Sequence, residues 1–136
     1  MNDKNILSYC TYNYNYTGGA HGSSSELFEN IDLKKCKKIE LKDIFAPGYK
    51  SKLKENILSG ITKCFGVKTL EELNQFIFDY PSVEITDNFY LNNSGIGFVY
   101  NEYEIAPYCS GTINVFIEYS ELKNLLKKDF IKKMEI

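Results

Sequence analysis

The segment "SYCTYNYNYT" at residues 8–17 constrains the fold most, because its side chains alternate in kind with a period of two. Cys10, Tyr12, Tyr14 and Tyr16 share one face, while threonines and asparagines share the other. This alternation is typical of a β-strand with one face against a core. We therefore predict a strand here, with its cysteine and tyrosine face buried.

The segment Leu27–Leu33 alternates less clearly and predicts a second strand, which pairs with the first as an antiparallel hairpin. Beyond "APG" at 46–48, apolar residues at helical spacing predict an amphipathic helix from Tyr49 to Phe65. Thr69 and Glu72 have the spacing of a capping box, which predicts a shorter helix ending near Ile77.

From Asp87 onward the pattern again favours strands, in "NFYL", "IGFVYNEYEI" and "TINVFIEY". Ser120 is then a candidate cap for a final helix. Strands joined by hairpin-length links and interrupted by helices predict an α+β domain. We expect a mostly antiparallel sheet with helices packed on one face, as a single domain over residues 1–136.

Charge and hydropathy exclude some classes of partner. The formal net charge is -2, and all sixteen basic residues are lysine. Arginine is the preferred residue for forked phosphate recognition, so we predict no nucleic-acid partner. No segment has the apolar length of a membrane span or the pattern of a signal peptide. The chain as written is therefore expected to be soluble.

The four cysteines, Cys10, Cys36, Cys64 and Cys109, lack the spacing of a metal site. We predict no metal site and no cofactor. The cysteines are either four free thiols, which we favour, or two disulfides. Cys10 is expected to react slowly with alkylating agents because its strand face is predicted to be buried.

The segment "YTGGAHG" at 16–22 contains the only histidine. Gly18, Gly19 and Gly22 predict a loop with positive φ angles, and we expect His21 to hold that loop by a local hydrogen bond. The alternative is that His21 acts as a general base. No second histidine exists to complete a metal site.

The segment "NEYEIAPYCSG" at 101–111 holds the second candidate site. Glu102 and Glu104 are two apart, which would place both carboxylates on one strand face. Tyr103, Pro107 and Tyr108 are aromatic and rigid residues of a kind that binds partners at low entropic cost. The candidate binding surface is therefore His21, Tyr103, Glu104, Pro107 and Tyr108.

Several blocks resemble a bacterial family, namely "YTGGAHG", "ENIDLKKCKKIELKDIF" and "FYLNNSGIGFVYNEYEIAPYCSG…YSELKNLL". They are similar to the RsiV-like C-terminal domain, the domain of unknown function 3298, which also occurs in peptidoglycan deacetylases. The resemblance implies an α+β fold and an extracytoplasmic or membrane-anchored location. It also implies binding of lysozyme or a peptidoglycan fragment, with the N-terminal strand as a remnant of the preceding module.

Three functional hypotheses follow. The first is a non-catalytic binding or sensing module of the bacterial cell envelope. The second is a small hydrolase that uses His21 with Glu102 or Glu104. The third is a cytoplasmic relative with reduced thiols and another partner. The first is the one we favour.

Overall fold

Seven strands form two antiparallel sheets in the computed structural model, which describes residues 1–136. The first sheet has the order β1-β2-β3-β4, and the second has the order β5-β6-β7. The strands are β1 (Asn2–Asp3), β2 (Ile6–Asn15), β3 (Ser23–Asp32), β4 (Lys37–Lys38), β5 (Phe89–Leu91), β6 (Gly95–Tyr100) and β7 (Ile113–Glu118). The helices are α1 (Leu41–Ile44), α2 (Lys50–Phe65), α3 (Leu70–Leu73), α4 (Tyr119–Leu122) and α5 (Lys128–Met134). The α+β class with antiparallel sheets is confirmed.

The second sheet and α2 enclose the main core. On β7, Ile113, Val115 and Ile117 alternate inward and are all buried. Gly60 lets α2 approach this face closely, since a Cβ at that position would lie 2.2 Å from Val115 Cγ1. The amphipathic helix predicted from Tyr49 to Phe65 is confirmed as Lys50–Phe65, and its C-cap Gly66 has a left-handed φ of 66° that ends the helix.

The long hairpin β2–β3 corrects the prediction of a half-buried first strand. The two strands pair from Ile6↔Asp32 to Asn15↔Ser23, but β2 is exposed from Tyr9 to its end. Tyr12, Tyr14 and Tyr16 are each about 60% exposed, at 61%, 60% and 61%. Cys10 is also exposed, so the expectation that it is buried was wrong, and burial no longer supports the prediction of slow alkylation.

The physical reason is that the hairpin extends past the core that buries its base. Ile6, Ser8 and Asn30 at the base are buried, whereas β2 is exposed on both faces from Tyr9 to Asn15. Tyrosine has an apolar ring with a polar hydroxyl, so it is compatible with a wet strand as well as a packed one. Alternation therefore identified the strand but not its burial.

Asparagine side chains join β3 to the second sheet. Asn30 is 1% exposed, donates to the Phe89 carbonyl at 2.8 Å and accepts from the Leu91 N–H at 3.0 Å. Asn88 accepts from the Phe28 N–H at 2.8 Å and donates to the Glu26 carbonyl at 2.8 Å. Backbone groups on this edge of β3 are thus satisfied by side-chain amides where a neighbouring strand would otherwise be needed.

The short helices differ from their predicted bounds. Thr69 caps α3 by accepting the Glu72 N–H at 3.2 Å, but the Glu72 carboxylate accepts from the Lys68 N–H and α3 ends at Leu73. Ser120 is not a cap, because α4 follows β7 directly and its N-cap residue is Glu118. A separate α5 then buries Phe130 and Met134.

No helix has the length and apolar character needed to cross a membrane.

Candidate functional site

The loop at 16–22 turns the chain between β2 and β3. Gly18 and Gly19 have φ angles of 99° and 94°, which side-chain-bearing residues rarely adopt. Gly22 serves a different purpose, because a Cβ there would lie 2.4 Å from the Tyr14 hydroxyl oxygen. The absence of a side chain at Gly22 therefore lets the Tyr14 ring lie against the backbone.

His21 makes one hydrogen bond and one ring contact. Its Nδ1 lies 2.9 Å from the Gly22 carbonyl oxygen, which can only accept, so Nδ1 carries the proton that is donated. The imidazole stacks on Tyr108 with a centroid separation of 3.7 Å and an angle of 13° between the rings. The side chain is thus held in a fixed orientation at an exposed position.

Tyr108 is placed by the loop that follows β6. Pro107, with φ of -60°, precedes a 3₁₀ turn over Tyr108–Ser110, and the Ser110 N–H donates to the Pro107 carbonyl at 2.9 Å. Tyr103 has φ of 68°, and its ring lies 6.0 Å from that of Tyr108. We call His21, Tyr103 and Tyr108 the aromatic platform. The structure thus brings together the histidine and both tyrosines of the predicted surface.

The two glutamates of the predicted acid–base pair, Glu102 and Glu104, bond to different parts of the chain. Strand β6 ends at Tyr100, so residues 101–104 form a turn and the prediction of one strand face was wrong. The Glu102 carboxylate accepts from the Ser24 hydroxyl at 2.8 Å and from the Ser24 N–H at 3.3 Å. The Glu104 carboxylate accepts from the Asn101 N–H at 3.0 Å. Glu102 thus joins the turn to Ser24 of β3, whereas Glu104 stabilises the backbone of the turn itself.

No hydrogen bond connects His21 to either glutamate. None of the four principal surface clefts is lined by His21, Glu102 or Glu104. No group of three or more histidine, cysteine, aspartate or glutamate side chains is placed to hold a metal ion. The four cysteines are free thiols, which is the favoured one of the two alternatives left open by the sequence.

Asn101 anchors the platform and was missed in the sequence. Its side chain is buried, accepts from the Glu26 N–H at 2.7 Å and donates to the Glu26 carbonyl at 3.0 Å. These bonds hold the Tyr103 turn against β3. The sequence does contain a signal for this contact. An asparagine directly after an apolar strand is unfavourable within a strand and often forms side-chain hydrogen bonds to the backbone.

A second row of rings crosses the outer face of the sheets. The Tyr90 ring lies 4.9 Å from Phe28 of β3 and 6.4 Å from Phe116 of β7. It lies flat over Gly97, where a Cβ would approach the ring to 2.1 Å. The "GIG" of β6 was the sequence signal, because a glycine within a strand often marks such a close approach.

The family model described as "Protein of unknown function (DUF3298)" matches residues 42–120. The chain therefore belongs to the DUF3298 family. Tyr103, Pro107 and Tyr108 lie within the matched range, whereas the loop that carries His21 precedes it.

Two solved structures of this family are similar to the chain. The first is a DUF3298 member from Bacteroides fragilis NCTC 9343, with 34% identity and a TM-score of 0.83 over 96% of this chain and 53% of that one. The second is a DUF3298 protein from Pseudomonas aeruginosa PAO1, with 22% identity and a TM-score of 0.71 over 92% of this chain and 56% of that one. The chain thus spans about half the length of each. No curated protein matches it.

Proposed function

We propose that this chain is a non-catalytic binding module whose partner contacts the aromatic platform. The observation that carries the proposal is the stack of His21 on Tyr108, with Tyr103 beside it, at an accessible surface. Tyr103 remains 56% exposed although its neighbours hold the turn in place. Rings that are both fixed and exposed bind a partner with little further loss of side-chain freedom.

The chemistry of the platform favours a partner recognised by stacking and hydrogen bonds. The chain from Asn5 to Ser25 contains no aspartate, glutamate, lysine or arginine, so little fixed charge lies on the β2 side of the platform. Tyrosine hydroxyls and the imidazole supply hydrogen-bonding groups beside apolar ring faces. Sugar rings and polypeptide loops both suit such a surface.

The identity of the ligand is proposed from the RsiV-like resemblance. That resemblance favours a c-type lysozyme or a peptidoglycan fragment as the ligand, and the bacterial cell envelope as the location. The absence of a hydrogen bond between His21 and either glutamate supports a binding role over hydrolysis.

The test is calorimetric titration of the protein with a c-type lysozyme and, separately, with solubilised peptidoglycan fragments. We expect Tyr108→Ala and Tyr103→Ala to weaken binding by roughly tenfold or more, the usual effect of truncating an aromatic anchor. Leu33→Ala is the matched control, because Leu33 is 44% exposed at the opposite end of the β2–β3 hairpin.

Two outcomes contradict the proposal in different ways. If neither ligand binds at high micromolar concentration, the proposed ligands are wrong. If a ligand binds but Tyr108→Ala, Tyr103→Ala and Leu33→Ala all bind like the unmodified protein, the ligand site is not the aromatic platform.

A further inference from the structure

The outer edge of β2 has unpaired backbone groups over most of its length. On β3, the N–H groups of Ser24, Glu26 and Phe28 donate to the side chains of Glu102, Asn101 and Asn88, and therefore point away from β2. In an antiparallel pair of strands, the backbone N–H and C=O groups of two opposed residues either bond to each other or all point away from the partner strand. The residues opposite these three are Tyr14, Tyr12 and Cys10, so their N–H and C=O groups point away from β3.

Nothing in the chain occupies that edge beyond Ser8. Strand β1 pairs only with Ile6 and Leu7, and Met1 bonds to both backbone groups of Ser8. From Tyr9 to Asn15 every residue of β2 is exposed. From Tyr9 to Asn15 this strand edge is accessible and lacks a neighbouring strand within the chain.

The edge also lacks the features that normally prevent strand addition. Proteins protect exposed edges with lysine, proline, bulges or inward-pointing charges. Residues 9–15, "YCTYNYN", contain no proline and no charged residue, although lysine alone makes up sixteen of the 136 residues. The edge is therefore chemically suited to accept another uncharged strand.

We propose that the occupant is a second copy of this chain, paired through an antiparallel contact between the two β2 edges. The residues whose backbone N–H and C=O groups face the free edge are Cys10, Tyr12 and Tyr14. A symmetric contact that uses all three has its two-fold axis beside the central residue, Tyr12. Tyr12 then pairs with Tyr12 of the second copy, and Cys10 pairs with Tyr14. The outward N–H and C=O groups of all three residues gain partners.

This register is self-complementary along its whole length. On the face of the sheet opposite to the tyrosines, this register places Thr11 beside Asn13 of the second copy, and such polar pairs can hydrogen-bond across strands. It contains no like-charge pair, because none of these residues is charged. It also ends where β1 begins to cover the edge, since Tyr9 would pair with Asn15. The two hairpins would form one continuous antiparallel sheet.

Sedimentation equilibrium over a range of concentrations tests the pairing. We expect the unmodified protein to be in reversible equilibrium with a dimer. Tyr12→Lys should raise the dimer dissociation constant by roughly tenfold or more, because two like charges would face each other in place of two rings. Tyr12→Pro should also weaken the dimer, because it removes an outward N–H while the bonds between β2 and β3 remain.

Leu27→Lys is the matched control. Leu27 is 50% exposed on β3, opposite Thr11 and one strand away from the edge, so its variant should dimerise like the unmodified protein. Far-ultraviolet circular dichroism of each variant establishes that the fold is intact. If Tyr12→Lys and Tyr12→Pro lose the fold, disulfide cross-linking of Tyr12→Cys compared with Leu27→Cys tests the pairing instead.

Cross-linking tests the register directly. Opposed, hydrogen-bonded residues have Cα atoms about 5.5 Å apart, within the range of a disulfide. Under mild oxidation Tyr12→Cys should therefore form a disulfide between the two introduced thiols, identified by peptide mass spectrometry, and Leu27→Cys should not. The proposal is overturned by a monomer at every concentration, by a dimer insensitive to Tyr12→Lys and Tyr12→Pro, by open-ended oligomers, or by equal cross-linking at both positions.

Discussion

At the scale of single residues, His21 illustrates how a sequence-based assignment depends on surroundings. Its loop predicted a local hydrogen bond, and the imidazole donates to the neighbouring Gly22 carbonyl. The stack on Tyr108 was not predictable, because the two residues are far apart in sequence and only the fold brings them together. A residue type and its neighbours thus predict local bonds better than distant contacts.

We expect His21→Ala to lower the free energy of unfolding by about 1 kcal/mol, because it removes one partly buried hydrogen bond and one ring stack. In a domain of this size the melting temperature should fall by roughly 2 to 8 °C. His21→Asn should recover part of the loss, since asparagine can also bond locally in a turn. Thermal melts of the three proteins provide the comparison. A melt of His21→Ala that superimposes on the parent would show that the ring does not hold the loop.

At the scale of elements, the predictions succeeded where one period ran over many residues. The helix α2 and the strand β7 show clear periods of 3.6 and 2, and the sequence analysis found both elements. Glu102 and Glu104 were misplaced because "NEYEI" continues the composition of β6 after the strand has ended. The turn there depends on Asn101 bonding to Glu26, a contact between distant segments.

The contact of α5 with the hairpin predicts a specific pH dependence. The Asp32 carboxylate at the end of β3 accepts from Lys133 of α5 at 2.8 Å and from the N–H groups of Lys34 and Lys35. The hydrogen bond from Lys133 and these N–H groups lower the pKa of Asp32 below its usual 3.8, while burial opposes the shift.

Because the folded-state pKa is lowered, the native state binds fewer protons here than the unfolded chain does. The resulting stability is present above the unfolded value and is lost as pH falls through the folded one. Asp32→Asn should therefore be less stable than the parent near neutral pH and lose less stability between about pH 5 and pH 3. Urea unfolding over this range measures the slope. Asp129→Asn, an exposed acid on the same helix, should keep the slope of the parent.

At the scale of the whole molecule, the sequence predicted the class of fold but not its division into two sheets. Local periodicity identifies strands, whereas the sheet to which a strand belongs depends on contacts between distant segments. The exposed outer half of the hairpin has the same cause, because nothing in "CTYNYN" indicates where the core stops. The asparagines that join the sheets were overlooked, since one buried asparagine resembles a loop residue in the sequence.

Asn30→Ala should destabilise the whole domain. It leaves the Phe89 carbonyl and the Leu91 N–H unsatisfied in a buried position, at a cost of about 2 kcal/mol or more. Asn124→Ala is the control, because Asn124 is an exposed asparagine outside both sheets and its replacement should change stability by less than about 0.5 kcal/mol. Urea unfolding monitored by circular dichroism distinguishes the two. Equal stability of both variants would mean that water replaces the lost amide.

The asparagine bridges also have a consequence for the order of folding. The bonds of Asn30, Asn88 and Asn101 to the opposite sheet join positions between 59 and 75 residues apart. The hairpin β2–β3 and the strands of the second sheet pair over much shorter separations, so their loops close first. Docking of the two preformed pieces is then expected to be the late step. The fraction of nascent chains that reaches the native state would then depend on how quickly the side-chain amides of Asn30, Asn88 and Asn101 form their hydrogen bonds to the backbone.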